Sequence, residues 1–247
     1  MGTEQLKKIA EITTIGGEKG GSAKTTIATQ LAAVEAHAGR DVLLVNTDPQ
    51  QTAVHWTSMR ETMRAADRSD VKRISCVSLF GPTLAQELAN LRNRFGVIIV
   101  DAGGRDSVEF RASLVVASKL VIPLRCSPAD TWTLSKIAEI LNQARAMNPA
   151  LSASVVLSMV LATSKDRARA KMAAVVADYP GIGLYNTIVA MRENFISCMG
   201  AGLGVHEMRG NDRDPKAITE ILGLHGEVFG RHRTGPVEPE QKGAISG

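Results

Sequence analysis

The chain has 247 residues, 44% of them hydrophobic and 22% charged, with a formal net charge of +4 and a pI near 9.1. That balance suits one α/β domain with a substantial core, and the mild basic excess permits contact with nucleic acid without requiring it. No apolar run reaches the ~18 residues that a membrane-spanning helix needs, and the polar stretch 1–8 contains no apolar signal-peptide segment. Leu6 stands where a myristoylation signal following Gly2 requires Ser or Thr. Cys76, Cys126 and Cys198 are far apart and form no C-x-x-C. They read as buried free thiols of a cytoplasmic protein.

Strand-like and helix-like stretches alternate along the chain. An apolar, β-branched run at Ile9 to Ile15 is followed by glycines and then by an Ala-rich helical stretch, Ile27 to Ala38. Buried strands are expected at Asp41 to Asn46, Ser75 to Leu79, Val97 to Asp101, Leu120 to Leu124, Ala153 to Leu161 and Leu184 to Ala190. Helices are expected at Thr52 to Ala66, Leu84 to Arg94, Ser107 to Ser118, Thr131 to Met147, Arg167 to Ala177 and Asp214 to Val228. Continuous Val/Ile/Leu runs predict strands covered on both faces, and intervening helices predict parallel pairing. The expected fold is a doubly wound, mostly parallel sheet with helices on both faces and a ligand at the carboxyl ends of the strands. Residues 1–230 form the expected single domain. Residues 231–247, polar and holding Pro236 and Pro239, read as a disordered tail.

The run Glu18-Lys19-Gly20-Gly21-Ser22-Ala23-Lys24-Thr25-Thr26 lies between the first strand and the first helix. Strand, glycine-rich turn and helix are the setting of a phosphate-binding loop, whose backbone N–H groups and helix N-terminus attract anions. Lys24 is placed to reach the β- and γ-phosphates of a nucleoside triphosphate, and the Thr25 hydroxyl to ligate Mg²⁺. The second strand closes on Asn46-Thr47-Asp48-Pro49-Gln50. An acid at that point can orient water or Mg²⁺, and Asp48 is equally suited to cap the next helix. The apolar run Val97 to Val100 ends on Asp101, placed to hold the water shell of Mg²⁺. Gly103 and Gly104 give the following loop room to move, and Arg105 either serves that loop or pairs with a nearby acid.

The pattern K-G-G-x-x-K-[ST] at Lys19 to Thr25 resembles the deviant Walker A loop of the ParA/MinD family of ATPases. The resemblance runs from about residue 9 to 229. It is carried by the phosphate loop, by Asp48-Pro49-Gln50 and by the Val97 to Asp101 strand. Weaker likeness lies in Lys119 to Pro128 and in Asn186 to Val205, with Arg192 and Gly202. Ala23 departs from a glycine, with a small side chain that fits at negative φ, and Asn46 stands where the family has its first acid. The resemblance implies a P-loop ATPase that binds ATP and Mg²⁺ through residues 19–26 with Asp48 and Asp101. It also implies that Lys19 reaches the partner's nucleotide across an ATP-dependent homodimer.

Closest in kind are small plasmid-type ParA partition proteins. That likeness implies non-specific binding to duplex DNA, a place on the nucleoid, and hydrolysis stimulated by a ParB-like or other small adaptor protein. Arg209, Arg213 and Lys216 are candidate DNA contacts, as is the cluster Lys165, Arg167, Arg169 and Lys171, although such charges are equally a solvated face. A MinD-like membrane cycle wants an amphipathic C-terminal helix that 231–247, with its prolines, does not supply. A cluster-carrying reductase wants paired cysteines, absent here. Positioning of another cargo, such as a protein compartment, is the alternative. The five histidines show no ligand spacing, so no metal beyond Mg²⁺ is expected.

Overall fold

The computed structural model describes residues 9–230, apart from 67 and 105. Among them, seven strands form one sheet in the order β3-β2-β4-β1-β5-β6-β7, and every neighbouring pair is parallel. The strands are β1 (Glu11–Ile15), β2 (Val42–Asn46), β3 (Ser75–Ser78), β4 (Val97–Asp101), β5 (Lys119–Leu124), β6 (Ser152–Val160) and β7 (Gly183–Ala190). The helices are α1 (Lys24–His37), α2 (Thr52–Ala65), α3 (Leu84–Leu91), α4 (Val108–Val116), α5 (Pro128–Thr131), α6 (Thr133–Met147), α7 (Lys165–Val176), α8 (Glu193–Ala201) and α9 (Pro215–Phe229).

The side-chain period of two along each strand feeds two separate cores. Ile12, Leu43, Val45, Ile98, Val100, Leu120 and Ile122 pack on one face with Leu84 and Leu88 of α3, Phe110 and Leu114 of α4, Leu134 and Ile137 of α6 and Met172 of α7. Ile15, Val42, Leu44, Val97, Ile99 and Val121 pack on the other with α1, α2, α8 and α9. Both faces of the strands are therefore apolar, and this is why they read as unbroken Val/Ile/Leu runs. Helix α1 is almost wholly buried, from Ile27 to Ala36. Its alanines let it lie close to the sheet and to α2 and α9 together.

Two expectations need correction. Helix α8 was not legible: Glu193–Ala201 lies inside the segment Asn186 to Val205, which the sequence reading left without a helix. Of the three cysteines, all free, only Cys198 is fully buried, while Cys76 and Cys126 are partly buried against the two cores. The tail 231–247 and Arg105 lie outside the described residues. Among the described residues no helix is long and apolar enough to cross a membrane.

A buried ion pair fixes the segment after α8. Arg60 of α2 holds both oxygens of Glu207 at 2.8 and 2.7 Å, and Glu207 accepts from the Gly204 N–H at 2.7 Å. Gln30 of α1 joins the same segment through the Val205 N–H at 2.7 Å and the Leu203 carbonyl at 3.2 Å. Removing either charge of such a pair costs about 3–5 kcal/mol, since the survivor stays buried and unpaired. The helices that follow β1 and β2 are thereby tied to one strap.

Candidate nucleotide site

The central strand β1 lies between β4 and β5, and ladder bonds continue past the strand ends. The Gly16 N–H donates to Val121 O, Ala102 N–H to Ile15 O and Thr47 N–H to Asp101 O, each at 3.0 Å. These three bonds bring the loops after β1, β2 and β4 to one point, at the carboxyl ends where open α/β sheets bind ligands. The cleft between them has a volume of about 720 Å³. Its walls include Gly20, Gly21, Ala23, Lys24, Thr25 and Thr26 from the first loop, Thr47 to Gln50 from the second, and Gly103 and Gly104 from the third.

The phosphate loop is held from inside and from below. The Lys24 ammonium donates to the Lys19 carbonyl at 2.8 Å, and the Ser22 hydroxyl donates to the same carbonyl at 3.3 Å. The buried Ser158 hydroxyl of β6 donates to the Ser22 carbonyl at 2.8 Å. Arg125, just past β5, donates to the Gly21 carbonyl. Gly21 has φ +70°, the left-handed region that glycine tolerates. Ala23 also has a positive φ, +67°, as the residue preceding α1. The condition under which a small side chain fits here without strain, a negative φ, is therefore not met. The loop adopts the geometry that a glycine would favour, with a methyl group in a left-handed conformation that costs about 1–2 kcal/mol.

Two charged groups, Lys24 and Asp48, line the cleft, and the buried Asp101 carboxyl interacts with both. Burial lowers the pKa of Lys24, while Asp101 and Asp48 oppose that shift. Burial pushes the Asp101 carboxyl up to about 7; the Thr25 hydroxyl favours its ionised form, Asp48 disfavours it and Lys24 favours it. Asp101 is 1% exposed, and neither carboxylate oxygen has a hydrogen-bond partner among the described residues. An orphaned buried carboxylate beside a threonine hydroxyl fits the water shell of Mg²⁺, an ion that keeps several waters and takes few protein ligands. No group of three or more His, Cys, Asp or Glu able to cage a metal occurs among the described residues. Thr25, Asp48 and Asp101 would thus hold Mg²⁺ together with phosphates and water, and Mg²⁺ there would neutralise charge developing on a transferred phosphoryl group.

Asp48 is not the cap of α2. That position is Gln51, which has φ +56° and no side-chain cap bond. Asp48 instead accepts from the Gln50 N–H at 2.9 Å, an Asx turn that holds the carboxylate at the mouth of the cleft. Asn46 explains its own departure from the family's acid. Its amide donates to the Asp48 carbonyl at 3.0 Å and to the Ser78 hydroxyl at 3.1 Å, and its backbone is in register with Asp101. A carboxylate here would lose both donors and stand beside a buried acid.

The cleft also takes in residues that sequence reasoning passed over. Phe80, 44% exposed, and Glu109, whose carboxylate accepts from the Gly81 N–H at 3.0 Å, close the side next to β3. No motif marks either. Arg125 stood in the Lys119 to Pro128 stretch but carried no signal of its bond to the loop.

The basic candidates divide. Lys165 is spent on Glu220 at 2.5 Å, and Arg192 on Glu220 at 2.6 Å and Asp214 at 3.3 Å. Arg209 pairs with Asp70 at 2.9 Å although it is largely exposed. Arg213 and Lys216 are exposed beside the start of α9. Arg167 and Lys171 line a second groove of about 420 Å³ together with Arg125, next to the phosphate loop.

The model of the CobQ/CobB/MinD/ParA nucleotide-binding domain matches residues 13–199. The chain is 28% identical to the maintenance of carboxysome distribution protein A of Halothiobacillus neapolitanus over 212 residues, 85% of this chain and 93% of that protein. It is 25% identical to the sporulation initiation inhibitor protein Soj of Bacillus subtilis over 190 residues, 64% of this chain and 74% of Soj. In fold it resembles the ATP complex of a Cyanothece McdA variant, with TM-score 0.67, 17% identity, and 93% and 100% of the two chains covered. It resembles equally the plasmid partition protein of Borrelia burgdorferi bound to AMPPNP, with TM-score 0.66, 15% identity, and 89% and 98% covered. With the seven-stranded parallel sheet and the phosphate loop after its central strand, these matches make the chain a member of the CobQ/CobB/MinD/ParA family of nucleotide-binding domains, with the P-loop fold of the ParA/MinD-type ATPases.

Proposed function

We propose that this chain is a ParA-type ATPase that dimerises on ATP, binds duplex DNA without sequence preference, and is reset by a partner protein that stimulates hydrolysis. The observation that carries the reading is the meeting of Lys24, Thr25 and Asp48 in one cleft beneath a phosphate loop, with the Asp101 carboxyl buried within electrostatic reach of all three. In this cycle Lys24 and the loop amides bind the β- and γ-phosphates, and Asp48 positions the attacking water. Lys19 reaches the nucleotide of the second protomer. The cargo is a plasmid or chromosomal locus, recruited through a ParB-like or other small adaptor, and the site of action is the nucleoid.

A second reading concerns the cargo alone. The match to a carboxysome distribution protein covers 85% of this chain, more than the match to Soj covers, and favours a protein compartment as cargo. The same ATPase cycle serves either cargo. The deciding measurement is the ATP hydrolysis rate with and without unrelated duplex DNA and a candidate adaptor, alongside sizing in ATP and in ADP. Stimulation by DNA and adaptor together, with a dimer in ATP, supports the cycle. A monomer in ATP with DNA-independent turnover removes it.

A further inference from the structure

Lys136 lies in the first turn of α6, outside the residues assigned to the nucleotide. Its ammonium is 3.1 Å from Glu18 Oε1 and 3.7 Å from Asp106 Oδ2. Glu18 immediately precedes Lys19 in the phosphate loop. Asp106 immediately precedes Ser107, whose hydroxyl caps α4 by accepting from the Phe110 N–H at 3.1 Å. Arg111 of α4 fixes the Asp106 carboxylate through two bonds of 2.6 and 2.8 Å, and also reaches Gln143 of α6 at 2.5 Å. One ammonium therefore spans two carboxylates from two different loops, and the second carboxylate is braced from α4 and α6.

Those two loops touch inside the cleft. A methyl group built on Gly104 would lie 3.1 Å from Lys24 Nζ and 3.3 Å from Gly20 Cα, and one built on Gly103 would lie 3.7 Å from Asp48 Cα. The Gly103-Gly104 turn thus sits over Lys24 and beside Asp48, at the end of the cleft that a terminal phosphate reaches. Without a cation between them, Glu18 and Asp106 would repel each other and draw the loops apart.

We propose that Lys136 is a positioning residue for the nucleotide site. Through Glu18 and Asp106 it holds the phosphate loop and the Gly103-Gly104 turn in register, and so sets the preference for a triphosphate over a diphosphate. This rests on the nucleotide-binding reading above. The alternative is an inert surface ion pair, the usual worth of a lysine that is 46% exposed. What separates the two is where the effect falls. An inert pair changes neither nucleotide, and a general field effect of charge at the loop weakens both in Lys136→Ala, ATP somewhat more, but strengthens both in Glu18→Gln, which removes an anion. A tie to the turn changes ATP alone.

The test is equilibrium titration of ATP and ADP, with Mg²⁺, on the full chain and on Lys136→Ala, Lys136→Arg, Glu18→Gln and the Lys136→Ala/Glu18→Gln pair. Lys136→Ala is expected to lower the ATP-to-ADP affinity ratio about two- to fivefold, the range of an exposed pair, with an unchanged thermal midpoint. Lys136→Arg is expected to retain the ratio. Glu18→Gln adds no further loss in the Lys136→Ala background, since the two act as a unit. An unchanged ratio, equal losses on ATP and ADP, or full additivity overturns the proposal while leaving the site intact. A wild-type chain that binds neither nucleotide overturns the nucleotide reading itself, and the role of Lys136 with it.

Discussion

The Lys24 ammonium rests 2.8 Å from the backbone carbonyl of Lys19. The two lysines of the phosphate loop are thus joined through the side chain of one and the main chain of the other, so mutation can separate them. Any substitution of Lys19 keeps the carbonyl that positions Lys24. Lys24→Ala removes a charge-assisted donor worth about 1.5–3 kcal/mol per hydrogen bond. It is expected to weaken ATP and ADP binding by about tenfold to a hundredfold, read by nucleotide titration. Lys19→Ala is expected to leave ADP binding by the monomer close to wild type while abolishing the ATP-dependent dimer, read by sizing in each nucleotide. An equal dimer fraction in the mutant would make Lys19 an ordinary surface charge.

Ala23 offers a gain. Its φ of +67° is paid by a residue with a Cβ, and the position is the end cap of α1 without a side-chain cap bond. Ala23→Gly is expected to stabilise the protein by about 1 kcal/mol, a rise of about 2–4 °C in Tm for a domain of this size. Calorimetry checks the first effect. Tighter ATP binding in the same variant would follow from a loop relieved of strain, and a lower Tm would mean that the φ is not strained.

Most of the fold was legible because its determinants are local. All seven strands lie within one or two residues of their expected places; continuous Val/Ile/Leu runs mark β2, β4 and β5, where both sheet faces are covered, whereas the edge strand β3 (Ser-Cys-Val-Ser) is only partly buried. Helix α8 was missed because only Phe195 and Cys198 of its nine residues are buried, leaving too short an apolar repeat to register. The phosphate loop, Asp48 and Asp101 are readable as motifs in chain order; the structure brings the loop and Asp48 into one cleft and buries Asp101 close to Thr25, Asp48 and Lys24. The backbone of Ala23 was not readable, since φ is set by the loop's closure against Ser158 and Arg125, both more than a hundred residues away. Nor was the fate of the basic cluster. Whether Lys165 faces solvent or Glu220 depends on how α7 and α9 each pack against β7.

His206 should make the fold sensitive to acid. Burial drives its pKa down to about 4, and neither ring nitrogen has a hydrogen-bond partner among the described residues. In the unfolded chain the ring takes its proton near pH 6.5. The group thus contributes stability above pH 6.5, and this is lost as pH falls toward 4, where the unfolded state binds the extra proton. The loss amounts to about 3 kcal/mol for a shift of this size. His206→Leu is expected to flatten the fall in stability between pH 6.5 and 4. Urea denaturation at pH 7.5 and 5 measures it, and parallel slopes in mutant and wild type would refute it.

Asp48 and Asn46 are coupled, because the Asn46 amide holds the Asp48 carbonyl at 3.0 Å. Asp48→Ala is expected to stop hydrolysis while ATP binding persists, since the proposed cycle assigns phosphate binding to Lys24 and the loop amides; the ATP dimer should accumulate. Asn46→Ala is expected to lower turnover about tenfold by releasing the turn that aims Asp48, with smaller change in ATP affinity. Single-turnover kinetics beside nucleotide titration distinguish the two effects. Wild-type turnover in Asp48→Ala would reduce this acid to an Asx-turn residue.

On the proposed cycle, the candidate DNA contacts can be narrowed by asking which cations are already paired. Lys165 and Arg192 share Glu220, and Arg209 pairs with Asp70. Arg167 and Lys171 line the 420 Å³ groove with Arg125 and form no ion pair among the described residues. Such charges are the ones able to displace counterions from a phosphate backbone. Arg167→Glu and Lys171→Glu are therefore expected to weaken ATP-dependent binding to unrelated duplexes far more than Arg209→Glu. If each protomer neutralises ~3 phosphates, the dimer has a slope of log affinity against log salt of about −5. Losing one contact per protomer should then make the slope shallower by about 2. Arg213→Glu and Lys216→Glu report on the other exposed candidates in the same titration. A steeper loss there than in Arg167→Glu would move the interface to the start of α9. Undetectable binding by a confirmed ATP dimer at low salt would end the nucleoid reading and leave a DNA-independent switch.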